Sequence, residues 1–324
     1  MSALKKIQAP IEKEIRDFDS YFKRSLQSDI SLLSTILNFL YRTKGKQIRP
    51  MFVFLSAKMA GETNEFSQLA ACSIELLHTA TLVHDDVVDE SYERRGTFSV
   101  KALWKNKMAV LAGDYILAKW LLLLVENKKY NFLHLISKTV QDMSEGEALQ
   151  VEKSRKLDID DETYFEIIRK KTASLIATSM VMGAASTTDD EAIHEKMYRI
   201  GQDAGIAFQI KDDIFDYQEK GLTGKPVGND IKEKKITLPL LYVLNNSSWA
   251  EKKRILSLIK RNNNNPAVVK ELIQLATEKG GIVYATQKME EFRDKAIQGL
   301  MEFEETQARN SLIELIKYVT TRKN

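Results

Sequence analysis

The first residues in this sequence whose type and spacing could do chemistry are two matching groups of aspartates. Asp85, Asp86 and Asp89 sit in SIELLHTATLVHDDVVDESYERRG, and Asp212, Asp213 and Asp216 sit in AGIAFQIKDDIFDYQ. Both groups follow a long apolar stretch with helical spacing. Aspartate is a poor helix-interior residue, because its short side chain competes for backbone groups. On a helix, positions i and i+4 are neighbours about 5–6 Å apart. Asp85 with Asp89, and Asp212 with Asp216, therefore form compact pairs, each with an adjacent carboxylate on its flank. Three like charges on one turn repel unless a cation neutralises them. Oxygen ligands without His or Cys select Mg²⁺, which completes its shell with water and phosphate. Two such clusters facing each other would clamp a diphosphate through several Mg²⁺ ions. The competing reading is a pair of solvated acidic helix ends. Two other pairs, Asp160-Asp161 and Asp189-Asp190, precede helical runs and read as N-terminal caps.

A departing diphosphate needs positive charge where negative charge develops. Arg94 and Arg95 follow the first cluster, and Lys170, Lys171 and Thr172 interrupt an apolar helix. Gln209 precedes the second cluster by three positions, Lys225 lies in a glycine-rich stretch, and Lys234 and Lys235 follow it. Gly45-Lys46-Gln47-Ile48-Arg49-Pro50 sets a Lys and an Arg before a helix start, a natural anion site. Taken singly, each lysine reads as part of a solvated face and His78 as a core histidine.

The elements that must position these residues are helical nearly everywhere. Ile7, Ile11, Ile15, Phe18, Phe22 and Leu26 step by three or four and mark one buried stripe. Pro50 stands in a first helical turn, and Gly61 closes MFVFLSAKMA. Further helices are predicted at about 64–91, 99–126, 131–152, 161–186, 190–217, 237–246, 249–261, 267–279, 282–304 and 306–319. No Asn-Gly or Asp-Gly signal lies between alternating runs, so no sheet is expected. Glu219 to Asp230, with three glycines and Pro226, reads as a loop, and Asn262 to Pro266 as a surface turn. With no linker composition and no repeat, residues 1–324 read as a single all-helical domain.

Composition narrows the function classes. Apolar residues at 44% supply a substantial core, and a net charge of +3 is too near neutral to suggest nucleic-acid binding. Cys72 is the only cysteine, which excludes a disulfide framework and fits a reducing, cytoplasmic compartment. The N-terminus is charged throughout and lacks the apolar core of a signal peptide. Leu121 to Val125 runs into Glu126, short of the roughly 20 apolar residues of a spanning helix. A protein integral to a membrane is therefore not expected.

As a set, GKQIRP, the HDDVVDESYERRG block, GDYILA, KKTASL, FQIKDDIFDY and GKPVGNDIKEKKITLPL resemble the trans-prenyltransferase (polyprenyl diphosphate synthase) family, in that family's order over residues 45–241. The resemblance implies an all-α fold, a single large helical bundle of isoprenoid synthase type, around a central catalytic cavity across which the two aspartate motifs face each other. It implies a transferase of isoprenoid biosynthesis that condenses isopentenyl diphosphate with an allylic diphosphate such as farnesyl or geranylgeranyl diphosphate. Asp85, Asp86, Asp89, Asp212, Asp213 and Asp216 resemble its Mg²⁺–diphosphate ligands, with three ions when diphosphate is bound. Arg94, Lys171 and Lys235 resemble the residues that hold the allylic diphosphate, with Lys225 in the same closure. Lys46, Arg49, His78 and Arg95 resemble those that hold isopentenyl diphosphate, and Thr172 and Gln209 resemble polar residues beside the carbocation. The family often has glycine where this chain has Lys234, so either Lys234 or Lys235 fits the diphosphate role. The resemblance also implies a homodimer.

In the reaction so implied, the allylic diphosphate departs and the double bond of isopentenyl diphosphate attacks the cation. A proton is then lost to the departed diphosphate, and no side-chain nucleophile is needed. Thr81 and Ala80 lie one helical turn beneath Asp85 and are both small. A bulky aromatic there would floor the cavity, as in short-chain members of the family. Small residues let the product run towards Leu77, with Trp120 and Phe132 as candidate floor residues. The two-residue gap in DDVVD also resembles the longer-chain branch. This favours a product of C30 or longer, the alternative being a short-chain (C15 or C20) synthase. A non-catalytic partner subunit tends to lack the aspartates. A class I terpene cyclase has no need of Lys46, Arg49 and Arg95.

Overall fold

The computed structural model describes residues 3–94, 96–218 and 228–321. Arg95 and Lys225 lie outside the described residues. In chain order the helices are α1 (Ala3–Gln8), α2 (Glu12–Ser25), α3 (Ser31–Arg42), α4 (Ile48–Ala60), α5 (Glu65–Val88), α6 (Val100–Glu126), α7 (Tyr130–Lys156), α8 (Asp161–Ile168), α9 (Ser174–Ala185) and α10 (Glu191–Asp216). After them come α11 (Asn229–Lys232), α12 (Leu238–Asn245), α13 (Trp249–Asn262), α14 (Pro266–Glu278), α15 (Gly281–Met301) and α16 (Gln307–Thr321). The all-α expectation is met. The chain parts into two compact units, residues 1–138, 178–198 and 303–314, and residues 139–177, 199–302 and 315–324.

In the first unit the predicted stripe is realised: Ile11, Phe18 and Phe22 are buried, and the Phe18 ring lies 5.6 Å from Phe22 and 6.1 Å from Phe54. α5 is buried almost all round from Leu69 to Ala80, as a central core helix should be. Its start is fixed by a capping box, in which the Asn64 side chain accepts from the Ser67 amide and the Ser67 hydroxyl accepts from the Asn64 amide. α6 carries a kink at Lys105, whose φ of 71° and ψ of 166° are not helical. The kink lets Val100 and Trp104 on one side, and Ala109 and Ala112 on the other, all pack around Ile36 and Val83.

In the second unit α10 lies against α9 and the turn before it at backbone distance. A Cβ on Gly205 would come within 2.5 Å of the Ala173 Cα, so only glycine permits the approach. That contact sets the register that brings Gln209 beside Thr172.

Three expectations need correction. A short antiparallel pair exists, β1 (Glu93–Arg94) with β2 (Thr97–Phe98), turning at Gly96 with φ of +74°. Strands of two residues are too short to show alternation, so no periodic signal marks them. The helix expected over 161–186 is interrupted by a π-helical turn, Arg169–Ala173, in which the Ser174 amide donates to the Arg169 carbonyl. α6 also holds an 18-residue window of mean hydropathy 1.8, long and apolar enough by length and composition to cross a membrane. Judging runs between charges missed it, because only Asp114 and Lys119 are charged between Lys107 and Glu126. A third of that window is buried in the protein, and one helix of this kind does not by itself indicate a membrane protein.

Candidate functional site

The first aspartate group occupies the last turn of α5. Asp89 is the C-cap, and its amide donates to the Asp85 carbonyl at 2.8 Å. This is the negative end of the helix dipole, roughly −0.5 of a charge, where carboxylates are unfavourable and cations are favoured. Within the group, Asp86 turns inward and is only 3% exposed. It accepts from Arg94 Nε at 2.6 Å, an ion pair made possible by the β1–β2 turn folding Arg94 back towards α5. Burial pushes the Asp86 carboxyl above its ordinary range, opposed by Arg94. Asp85 is half-buried and Asp89 exposed.

Two of the predicted basic residues meet in the same unit. Arg49 Nη1 lies 2.8 Å from His78 Nε2, while Lys46 is exposed just before α4. His78, Asp86 and Arg94 line one cavity together with Lys44 and Phe98. Ala80 and Leu77 are fully buried, Phe132 is fully buried, and Trp120 is buried with an indole N–H that has no hydrogen-bond partner among the described residues. Thr81 is half-buried, and its hydroxyl donates to the His78 carbonyl at 3.0 Å. None of these five predicted length-setting residues lines that cavity.

The second group repeats the placement, since Asp212, Asp213 and Asp216 form the last turn of α10. Asp213 is again the inward one, 4% exposed, and both its oxygens are engaged. Tyr164 Oη donates to Oδ2 at 2.6 Å, and Gln209 Nε2 donates to Oδ1 at 2.8 Å. Thr172 Oγ1 donates to Gln209 Oε1 at 2.7 Å. Burial pushes the Asp213 carboxyl up to about 7, against these two bonds. Asp216 accepts the Asn229 and Asp230 amides, each at 2.9 Å, so it caps α11 from across the chain. Burial raises the Asp216 carboxyl, and these amides oppose it.

Lys171 donates to Gln150 Oε1 at 2.7 Å and pairs with Glu147. Lys171, Thr172, Gln209, Asp213 and both Lys234 and Lys235 line one cavity of about 100 Å³. Both candidate lysines thus reach the same space. Lys235 Nζ is 2.5 Å from Glu233 Oε2, and Lys234 has a left-handed φ of 60°.

Sequence reasoning missed Tyr164 and Asp230, which line this cavity too. Burial, then Asp213 and Asp216, hold the Asp230 carboxyl well above the usual range. Tyr164 reads as an apolar core position of a helix, and Asp230 is one charge in a run of charges.

Among the described residues, no three His, Cys, Asp or Glu side chains converge closely enough to hold a metal ion unaided. The donor chemistry nonetheless fits a hard divalent cation. Both groups offer oxygen only, both sit at the negative end of a helix dipole, and such a cation completes its shell with water and phosphate.

Residues 30–276 match the family model for polyprenyl synthetase. An all-trans-nonaprenyl-diphosphate synthase (geranyl-diphosphate specific) from Rhodobacter capsulatus is 33% identical over 320 residues, covering 98% of this chain and 97% of the relative. A geranylgeranyl diphosphate synthase from Saccharolobus solfataricus is 32% identical over 292 residues, covering 86% of each chain. The crystal structure of a polyprenyl synthase from Caulobacter crescentus CB15, complexed with calcium and isoprenyl diphosphate, is similar with a TM-score of 0.93 at 31% identity, covering 99% of this chain and 98% of that one.

Proposed function

This chain belongs to the polyprenyl synthetase family, and from that premise we propose that it is a Mg²⁺-dependent prenyltransferase that condenses isopentenyl diphosphate with an allylic diphosphate into an all-trans polyprenyl diphosphate of C30 or longer. The observation that carries this reading is the pair of oxygen-only carboxylate groups in the last turns of α5 and α10, each accompanied by cations. Asp85, Asp89 and Asp212 are the carboxylates best suited to hold Mg²⁺, with Asp86, Asp213 and Asp216 flanking them. When bound, the metal supplies positive charge to the departing diphosphate.

The chain's own residues account for the rest. Lys171 and either Lys234 or Lys235 bind diphosphate oxygens at the cavity of the second unit, as Arg94 does in the first. Arg49, His78 and Lys46 bind the second diphosphate. The oxygens of Thr172 and Gln209 face the space where positive charge develops and stabilise it. Ile167, Ile168 and Ile236 line the same cavity and exclude water from a cation that water would destroy.

The names of the relatives span geranylgeranyl to nonaprenyl, so the length assignment rests on the small residues Ala80 and Thr81 beneath Asp85. The family match runs through residues of both compact units, which supports one functional domain. A homodimer is part of the proposal. It is supported by the exposed apolar residues Val110, Leu111, Leu121, Leu122 and Val125 along α6. The cytoplasmic location rests on the lone, buried Cys72.

Asp85→Ala and Asp212→Ala should each lose most turnover while keeping the wild-type circular dichroism spectrum. Near-normal rates in either variant would remove the basis of the assignment.

A further inference from the structure

Four side chains in the second unit form one continuous hydrogen-bonded chain, and one of them, Tyr164, has no assigned role. Tyr164 on α8 is 3% exposed and donates to Asp213 Oδ2 at 2.6 Å. Gln209, one turn before Asp213 on α10, donates to Asp213 Oδ1 at 2.8 Å. Thr172, in the π-helical turn, donates to Gln209 Oε1 at 2.7 Å. All four line the same cavity.

The two ends of a glutamine amide are nearly alike in shape, and only their partners decide which way it points. Both Asp213 oxygens accept here, Oδ2 from Tyr164 and Oδ1 from Gln209, so Asp213 holds the Gln209 NH₂ inward. The carbonyl end is then the one presented to Thr172 and the cavity. A carbonyl oxygen favours a neighbouring positive charge, whereas an amide NH₂ opposes it, so the orientation has a sign for any reaction that passes through a cation. Asp213 enforces that orientation only while it is itself held. Among the described residues, its Oδ2 accepts from the Tyr164 phenol.

We propose that Tyr164 is a positioning residue for the ionisation step: its buried phenol pins Asp213, and Asp213 fixes the Gln209 amide with its oxygen towards Thr172 and the cavity. This rests on the prenyltransferase reading above. It assigns Asp213 an orienting role towards Gln209 rather than direct contact with substrate. Tyr164 acts through two intermediaries and touches no reactant, so removing it changes the rate of forming the cation more than it changes substrate binding.

The test is a double-mutant cycle on the full chain. Wild type, Tyr164→Phe, Gln209→Ala and the double variant are compared in the single-turnover rate of the first condensation of farnesyl diphosphate with isopentenyl diphosphate. The concentrations of Mg²⁺ and isopentenyl diphosphate that give half the maximal rate are recorded for each. Tyr164→Phe should slow the single-turnover step by roughly 10- to 100-fold, the range found for residues that orient a site from behind. Both half-maximal concentrations should stay within about twofold of wild type. In the Gln209→Ala background the same change should cost less than about twofold, because the amide it orients is gone. An equal loss in both backgrounds, or an unchanged rate in Tyr164→Phe, overturns the proposal.

If Tyr164→Phe does not fold, Asp213→Asn replaces it. Its neutral amide no longer compels one orientation of Gln209, so a similar slowing is expected, with a Mg²⁺ requirement raised less than in Asp212→Asn. An unchanged rate, or a Mg²⁺ requirement raised as far as in Asp212→Asn, overturns the idea. Wild-type protein that turns over no substrate sinks the prenyltransferase reading and this proposal with it. Active wild type with an additive cycle sinks the role of Tyr164 alone.

Discussion

Lys105 offers a prediction whose sign runs against ordinary helix propensity. A glycine placed within a helix normally costs about 0.5–1 kcal/mol relative to alanine. Here, however, the residue holds φ 71° and ψ 166° inside the span of α6, a region that side-chain-bearing residues almost never occupy. Such a conformation costs of order 1–3 kcal/mol and persists because the flanking residues Val100, Trp104, Ala109 and Ala112 are all committed to one core around Ile36 and Val83. The Lys105 side chain is exposed, so deleting it forfeits little packing. Lys105→Gly relieves the strain, and after the entropic cost of glycine it should stabilise the first unit by about 0.5–2 kcal/mol. Lys105→Ala removes the same side chain without relieving φ, and should fall within about 0.5 kcal/mol of wild type. The assay is urea unfolding followed by tryptophan fluorescence in a Trp249→Phe background, which leaves Trp104 and Trp120, both in the first unit, as reporters. A Lys105→Gly midpoint equal to or below that of Lys105→Ala would refute the strain argument.

Asp216→Asn should lower the stability of metal-free protein by about 1–3 kcal/mol, since the Asn229 and Asp230 amides bond to different carboxylate oxygens and the substitution turns one of these into a donor NH₂. A higher urea midpoint would instead mean that relief of carboxylate repulsion dominates. The Asp213 carboxyl, pushed up to about 7 by burial, binds its proton more tightly in the fold than in the unfolded chain, where carboxyls titrate near 3.9. Its contribution to metal-free stability is full below about pH 4 and is lost as pH rises through about 7. A divalent ion at this carboxylate group competes with that proton, so Mg²⁺ should raise the melting temperature more at pH 8 than at pH 6. An identical rise at both pH values would contradict this coupling. Ala80→Phe places an aromatic ring one turn beneath Asp85 and should shorten the product, read by mass spectrometry. An unchanged product would mean that the growing chain does not pass Ala80.

The helices and both aspartate groups were legible because each contradicts or obeys a local rule. Apolar residues at helical spacing must be buried together, and three aspartates ending such a stretch defy both helix propensity and the dipole. The same reading placed Thr172 near Gln209 only by resemblance, whereas the structure supplies the cause in Gly205 and the close approach of α10 to Ala173. What the sequence withheld is tertiary. Nothing local marks Asp86 and Asp213 as the inward members of their groups, because their partners Arg94 and Tyr164 lie 8 and 49 residues away. Asp216 likewise holds amides 13 and 14 residues further on. The π-helical turn at Arg169–Ala173 and the β1–β2 pair are too short to leave a periodic signal.

The central claim is tested most directly by incubating the purified protein with Mg²⁺, isopentenyl diphosphate and farnesyl diphosphate, and weighing the products by mass spectrometry. A ladder of prenyl diphosphates ending at C30 or longer, abolished by removal of Mg²⁺, is the predicted result. Folded protein that gives no elongated product with farnesyl, geranyl or geranylgeranyl diphosphate would contradict the account.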